Sequence, residues 1–346
     1  MTDLKEAVNK VSKRLAARES KRQRLSSAVR RIGNQNFRIG GKTQDRLINE
    51  VARVPVTGRF AGVDGGLLSR SFHGIDLIVT RAVGVIFDYK EGTLAGSSNL
   101  HADLKVIDVE SGGPGELVLL AGLSRMEAEL DIALQTLEHQ PDYLLMDGPL
   151  YPHPSTRVAK ASHAKTYRTI IRKYDLLVRR SRATGCRLVG VVEDSRSRYF
   201  SNLLCEVIIP NLPPEVRASF PEVQTFRDTV LLYDTLAHRQ RTFIFKLKEV
   251  PDVAYGKDIY AFYIKTAPHD RPIRVELVTD HPQEDGETTA SAILGLSTFS
   301  TYGIPSVIIE ADARAKLSEP YMDYIERMMG RTTPLLMRLR REGRPI

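Results

Sequence analysis

Two aspartates stand where apolar runs stop, and a glutamate lies between them in the chain. Asp64 comes at the head of the run in "RFAGVDGG", Asp147 closes "YLLMDG", and Glu127 lies in "SRMEAELDIALQ". A buried carboxylate is costly unless a cation, a proton or a metal accompanies it. Carboxylates gathered at one place repel each other unless a cation intervenes, and a ligand set made only of oxygen suits Mg²⁺ or Mn²⁺. Two such ions align an attacking water and a leaving oxygen in phosphodiester cleavage. Each acid alone also reads as an ordinary strand-end or helix-surface residue. The chemistry rests on the three together and on their order.

The elements that must hold them can be read from periodicity. "FAGVDGG", "IDLIVTRAVGVIFDY" and "LHADLKVIDVE" read as three strands. The glycine-rich "SGGPG" follows, and then a helix over residues 116–140 whose apolar face carries Leu123, Met126, Leu130, Leu134 and Leu137. Glu127 shares that face by the 3/4 spacing and is expected to point at the sheet. Glu129 falls on another face and is expected in solvent; it is the alternative if the phase differs. "PDYLLMDGPLYP" reads as a short buried strand ending at Asp147, "KTYRTIIRKYDLLVRRSRATG" as a helix and "CRLVGVVEDS" as another buried strand. An antiparallel start followed by alternating helices and strands predicts an α/β fold with a mixed central sheet flanked by helices, presenting ligands at strand carboxyl ends. Further on, "FRDTVLLYDTL" reads as a helix, "IYAFYIKT" and "IRVELVTD" as strands, and "TYGIPSVIIEADARAKLS" as a turn entering a helix.

Residues 1–50 form an N-terminal helical arm, basic in character. Val8, Val11 and Leu15 keep a helical seam, "RESKRQR" interrupts it, and Leu25, Val29 and Ile32 resume it. That seam suits a solvated helix, or an arm for a partner subunit or phosphate backbone. Residues 51–330 form the main domain, and 331–346 a basic tail.

The 346 residues carry a net charge of +8, which is compatible with nucleic acid without requiring it. There is no run of 18 apolar residues, so no membrane span is expected, and the first residues lack the apolar core of a secretory signal. Two cysteines, Cys186 and Cys205, in apolar contexts make no disulfide framework and point to a cytoplasmic setting. No Walker loop, GxGxxG, GxSxG or HExxH occurs, so any ATP use belongs to a partner. Arg196 and Arg198 follow a strand end, where they suit phosphate contact or a solvated loop. Asp194 beside them suits a cap for the next turn, or a supporting acid. His153 and His163 flank the segment after Asp147, in reach of a nucleic acid if one binds there.

Asp on the first strand, Glu on the first long helix and Asp after the fourth strand is an order that resembles the RNase H-like nucleases. The closer resemblance is to the NurA family, nuclease partners of the HerA translocase. "GVDGG" is similar to its first catalytic motif and "YLLMDGPLYP" to its aspartate motif. "VGVVEDSRSRYF" and "PIRVELV" are similar to later strands, and the likeness spans roughly residues 55–320. Where the family's strand often carries lysine this chain has Glu193. Where its C-terminal motif has tyrosine and, eight residues on, histidine, this chain has Ile304 and Asp312, with Tyr302 nearby. The resemblance implies an RNase H-like core and a metal site in which Asp64, Glu127, Asp147 and Asp312 are the ligands of two ions, Mn²⁺ or Mg²⁺. It also implies 5′-to-3′ exonuclease and single-strand endonuclease activity on DNA in end resection and double-strand break repair. A homodimer and a HerA-type hexameric ATPase partner complete the expectation. Two rivals stand beside it: another RNase H-like enzyme such as a junction resolvase, and a non-catalytic DNA-binding adaptor of a translocase.

Overall fold

The structure is a computed structural model that describes residues 2–39, 42–152, 161–298, 301–330 and 334–339. In chain order it begins with α1 (Thr2–Ile32), the hairpin β1 (Asn36–Ile39) and β2 (Lys42–Arg46), and β3 (Ile48–Glu50). Then come β4 (Gly58–Ser71), β5 (Asp76–Lys90), β6 (Thr93–His101), β7 (Lys105–Val109), α2 (Pro114–Thr136) and β8 (Tyr143–Asp147). They are followed by α3 (Ala161–Thr184), β9 (Arg187–Val192), α4 (Tyr199–Leu203), α5 (Pro214–Arg217) and α6 (Asp228–Thr235). The chain continues through β10 (Gln240–Thr242), β11 (Phe245–Lys246), β12 (Ile259–Ile264), β13 (Ile273–Val278), α7 (Pro282–Leu296), α8 (Ser306–Ala315) and α9 (Glu319–Met329). These elements fall into two compact units. The first comprises Met1–Val54, Val192–Leu247 and Tyr260–Pro305, and the second Pro55–Val191, Lys248–Ile259 and Ser306–Ile346.

The second unit holds a mixed sheet in the order β9-β8-β4-β5-β6, with β7 also paired to β5. β4, β5 and β6 form an antiparallel meander, while β8 runs parallel to β4 and β9 parallel to β8. This is the mixed central sheet with flanking helices that the sequence predicts. β5 is buried along most of its length because helices cover both faces. Ile78 packs with Leu117 and Ala121 of α2, Val83 and Val85 with Ala311 and Ala315 of α8, and Val79 with Met322 and Ile325 of α9. The predicted third strand is two strands, β6 and β7. β6 lacks apolar alternation because its side chains are mostly exposed, so periodicity gave no sign of it.

α2 opens on Pro114, whose fixed φ suits the first turn. Its sheet-facing stripe runs through Leu117, Ala121, Arg125, Glu129, Ile132 and Thr136: the first two pack on β5 and the last two approach Gly84. The helix is covered on a second side by α3, where Lys173 reaches Glu127 and Asp131. The leucines used to phase the helix therefore serve two neighbours, and the phase assigned to Glu127 is not the one observed.

In the first unit, β3, β10, β12 and β13 lie in that order and β11 pairs with β12. Phe200, Phe243, Phe245 and Tyr263 pack ring on ring in its core. The two halves of α1 differ. Leu25, Ala28, Val29 and Ile32 are buried, and the Ser26 hydroxyl donates to the Leu231 carbonyl at 2.7 Å. Leu4, Val8, Val11 and Leu15 are exposed. Of the basic tail, residues 331–333 and 340–346 lie outside the described residues.

Candidate metal centre

β4 and β8 run side by side in register, Val63 opposite Met146. One step further along each strand stand Asp64 and Asp147, on neighbouring parallel strands about 4.8 Å apart and on the same face. Asp64 is 4% exposed and Asp147 half-buried. The backbone N–H of Gly65 donates to Asp64 Oδ1 at 2.6 Å.

The glycines around Asp64 set how closely helices approach it. Side chains alternate along a strand, so Gly62, Asp64 and Gly66 face one way and Gly65 the other. On the first face lies α8: a β-carbon on Gly62 would meet Val307 Cβ at 2.9 Å, and one on Gly66 the Ala315 carbonyl carbon at 2.8 Å. This contact brings α8, and with it Asp312, against the Asp64 side of β4. On the other face, a β-carbon on Gly65 would meet Glu129 Oε1 at 2.6 Å and Arg125 Cγ at 2.9 Å. The motif "GVDGG" thus lets one helix close on each face of β4 around Asp64.

Glu129 is buried, and its Oε1 has no hydrogen-bond partner among the described residues. Arg125 Nε lies 3.4 Å from that oxygen, one turn earlier on α2. Burial pushes Glu129 up to about 8; Arg125 opposes the shift, and the charges of Asp64 and Asp147 add to it. Burial likewise pushes Asp64 up to about 7, helped by Asp147 and Asp312 and opposed by the Gly65 N–H and by Arg125. The Arg125 guanidinium is held above its usual value, chiefly by Glu129 and then by Asp64 and Asp147. Asp64, Glu129, Asp147 and Arg125 therefore share one electrostatic site, with Asp312 at its margin.

The phase of α2 decides between the two glutamates. Glu127, predicted to face the sheet, lies toward α3, where Lys173 Nζ donates to it at 2.8 Å. Glu129, predicted to lie in solvent, is the one beneath β4. Asp312 is exposed on α8. The neighbouring Arg314 pairs with Glu310 at 2.6 Å, and no ion pair engages Asp312 among the described residues. Sequence reasoning passed over Arg125. The available signal was its spacing of four from Glu129 within a helix otherwise apolar toward the sheet.

Among the described residues, no group of three or more His, Cys, Asp or Glu side chains is arranged so that it could hold a metal ion as it stands. The donor chemistry nonetheless fits one. The oxygens are hard, burial and neighbouring carboxylates push two of the carboxyls up, and one buried oxygen is orphaned.

The remaining candidates lie elsewhere. Arg196 and Arg198 are exposed in the first unit. Asp194 pairs with Arg271 at 2.9 Å. His163 meets Glu116 at 2.6 Å, and His153 lies outside the described residues. Cys186 is buried and pushed up to about 12 by that burial, while Cys205 is only partly buried. No helix among the described residues is long and apolar enough to cross a membrane.

The model of the NurA domain family matches residues 58–317. Among solved structures, the NurA nuclease from Sulfolobus solfataricus is similar, with a TM-score of 0.64 and 16% identity over 95% of this chain and 96% of that one. A crystal structure of NurA gives 0.55 and 10% identity over 96% and 99% of the two chains. A structure of NurA bound to dAMP and manganese gives 0.52 and 12% identity over 96% and 99%. Comparison with curated protein sequences finds no match.

Proposed function

This chain belongs to the NurA domain family, and on that premise we propose that it is a metal-dependent DNA nuclease with its centre where Asp64, midway along β4, lies beside the carboxyl end of β8. The observation that carries the reading is the register that sets Asp64 and Asp147 side by side on two adjacent parallel strands, with Glu129, on the helix between them in sequence, near enough for its charge and theirs to act on one another. A solved NurA structure with bound dAMP and manganese supports the choice of a nucleic-acid substrate and of Mn²⁺, with Mg²⁺ as the alternative.

Asp64, Asp147, Glu129 and Asp312 would hold the ions, two in number. Bound there, the ions would supply a water-derived nucleophile and neutralise charge on the scissile phosphate. Asp64 and Glu129 must lose their protons before their oxygens can bind a cation, so metal affinity rises with pH through the neutral range. Arg125 balances the carboxylates when no ion is bound, and must release Glu129 when one is. Arg196 and Arg198 contact the DNA backbone. Glu127 braces α2 against α3 through Lys173 instead of binding metal.

The finer reading is 5′-to-3′ exonuclease and single-strand endonuclease action by a homodimer in the cytoplasm, working with a HerA-type hexameric ATPase in end resection and double-strand break repair. Its support is the likeness of the chain's motifs to the family. Cleavage of end-labelled single- and double-stranded DNA with Mn²⁺, Mg²⁺ or EDTA tests it. Metal-dependent shortening from 5′ ends, lost in Asp64→Ala, is expected. Preference for four-way junctions or RNA hybrids would move the chain to another RNase H-like activity. DNA binding without cleavage in saturating Mn²⁺ would make it an adaptor.

A further inference from the structure

The first unit contains a cleft of about 650 Å³. Ser195 and Thr229 lie at its buried floor, and Arg196, Arg227 and Arg271 at its exposed walls. Buried groups fix the floor. Asp228 accepts from the backbone N–H groups of Phe200 and Ser201 at 2.9 Å, from the Ser201 hydroxyl at 2.7 Å and from the Tyr263 hydroxyl at 2.8 Å. Arg274 donates to the Ser195 hydroxyl at 2.6 Å and the Ser197 hydroxyl at 2.9 Å, while Glu276 holds its guanidinium at 2.9 Å. The Thr229 hydroxyl donates to the Ser195 carbonyl at 3.2 Å. Residues 195–201 are thereby tied from beneath, and the backbone that carries Arg196 is set before any ligand arrives.

The charges at the rim are unequally spent. Arg22 is engaged by Glu19 and by Asp234, and Arg271 by Asp194. Among the described residues no side chain pairs with Arg196 or Arg227, although both line the cleft. Guanidinium groups present a planar fork of donors that matches phosphate oxygens. The volume lies in the range of small-ligand sites, roughly 300–1,000 Å³, enough for one or two nucleotides of a single strand and too small for a duplex.

We propose that this cleft is a subsite for the phosphate backbone of single-stranded DNA, read by Arg196 and Arg227 over the fixed Ser195–Thr229 floor. It lies in the first unit, whereas the carboxylate centre lies in the second. The proposal rests on the nuclease reading for the identity of its ligand.

The test is fluorescence anisotropy of a labelled twelve-nucleotide dT strand with the full-length Asp64→Asn chain in EDTA, across a series of salt concentrations. Each phosphate contact contributes about 0.7 to the slope of log affinity against log salt for a single strand. Arg196→Ala and Arg227→Ala are each expected to weaken binding about fivefold or more and to lower that slope by about 0.7. Arg227→Lys, which keeps the charge without the fork, should keep the slope. Lys90→Ala, an exposed charge in the second unit, should change neither quantity. Inorganic phosphate should compete only at far higher concentration than the strand. Unchanged affinity and slope in the arginine variants, or no binding of the strand at all, overturns the proposal. Displacement by polyglutamate of equal charge as readily as by dT would assign the cleft to an acidic protein instead. If these arginines govern binding in a chain that never cleaves DNA, the nuclease reading falls and the cleft stands. If cleavage occurs while binding ignores them, the reverse holds.

Discussion

Glu129 on α2 comes so close to Gly65 on β4 that a single methyl group at residue 65 would stand 2.6 Å from its carboxylate oxygen. The glycine gives the glutamate its place. Gly65 lies in extended backbone, so alanine there meets no conformational penalty; the conflict is purely one of space, with Glu129 and with Arg125. Gly65→Ala should leave the fold intact at a cost of about 1–3 kcal/mol, typical of overpacking. It should lower metal-dependent cleavage on the order of a hundredfold by turning Glu129 away from Asp64. Thermal melts paired with cleavage rates check this; a variant as active as the parent would detach Glu129 from the site.

The two glutamates separate cleanly. Glu129→Gln keeps size and burial but removes the charge among Asp64, Asp147 and Arg125, and a loss of at least about a hundredfold in rate is expected. Glu127→Gln leaves Lys173 paired with Asp131 at 2.7 Å, so a change within about threefold is expected, in keeping with the small value of partly exposed ion pairs. Single-turnover rates for the two variants decide, and the opposite ranking would restore the phase read from the leucines.

That reversal shows what the sequence could and could not carry. The strand end at Asp147 was legible from its apolar run; Asp64 was read as a strand end too, but β4 runs on through Gly65 and Gly66 to Ser71, so the glycines mark close helix contacts and not a stop. The mixed sheet was legible from the same runs. The glutamate was not, because hydrophobic phasing assumes one buried face, and α2 has two: the sheet side through Leu117, Ala121 and Ile132, and the α3 side beside Lys173. Small residues such as Ala121 and Ala128 mark the tighter contact yet weigh little in a hydrophobic pattern. The grouping of α1 with α6, some two hundred residues later, depends on contacts such as Ser26 with Leu231, which no local pattern encodes.

The carboxyls also fix how stability should vary with pH. Asp64 and Glu129 titrate near 7 and 8 in the folded chain, but near 4 when unfolded. The folded state therefore binds more protons than the unfolded one across this interval. Their contribution is most favourable below about pH 4 and is lost as pH rises through 7 and 8. In EDTA, the melting temperature is expected to fall between pH 6 and pH 8.5 on the order of 5 °C further in the wild type than in Asp64→Asn/Glu129→Gln. Mn²⁺ at pH 8.5 should restore the wild type and leave the double variant unmoved. Parallel pH profiles for the two proteins in EDTA would place the strained carboxyls elsewhere.

Arg125 supplies the counter-charge in that metal-free state. Replacing it by methionine keeps the aliphatic stem that packs on Gly65 and leaves Glu129, Asp64 and Asp147 without their cation. Arg125→Met should lower the melting temperature in EDTA at pH 8.5, and much less at pH 6, where Asp64 and Glu129 keep their protons. Because the guanidinium no longer competes for Glu129, the Mn²⁺ concentration giving half of the thermal shift should drop. Equal destabilisation at both pH values would reduce Arg125 to a packing residue.

Asp312 stands where the family resemblance expects histidine, and its setting argues for a role in the centre. α8 is drawn against β4 by Gly62 and Gly66 on the same strand face as Asp64, and the Asp312 charge helps to raise the Asp64 carboxyl. A surface acid at this position would be expected to pair with Arg314, but Arg314 is held by Glu310. An exposed carboxylate is a harder, more mobile ligand than imidazole, which favours Mg²⁺ and Mn²⁺ over Zn²⁺. Asp312→Asn should raise the Mn²⁺ concentration for half-maximal cleavage about tenfold, the lower end of what loss of a contributing metal-site group costs. Asp312→His should retain partial activity with Mn²⁺ and gain inhibition by Zn²⁺. Mn²⁺ titrations of cleavage for the three proteins decide the matter: superimposable curves would remove Asp312 from the site and leave the centre to Asp64, Asp147 and Glu129.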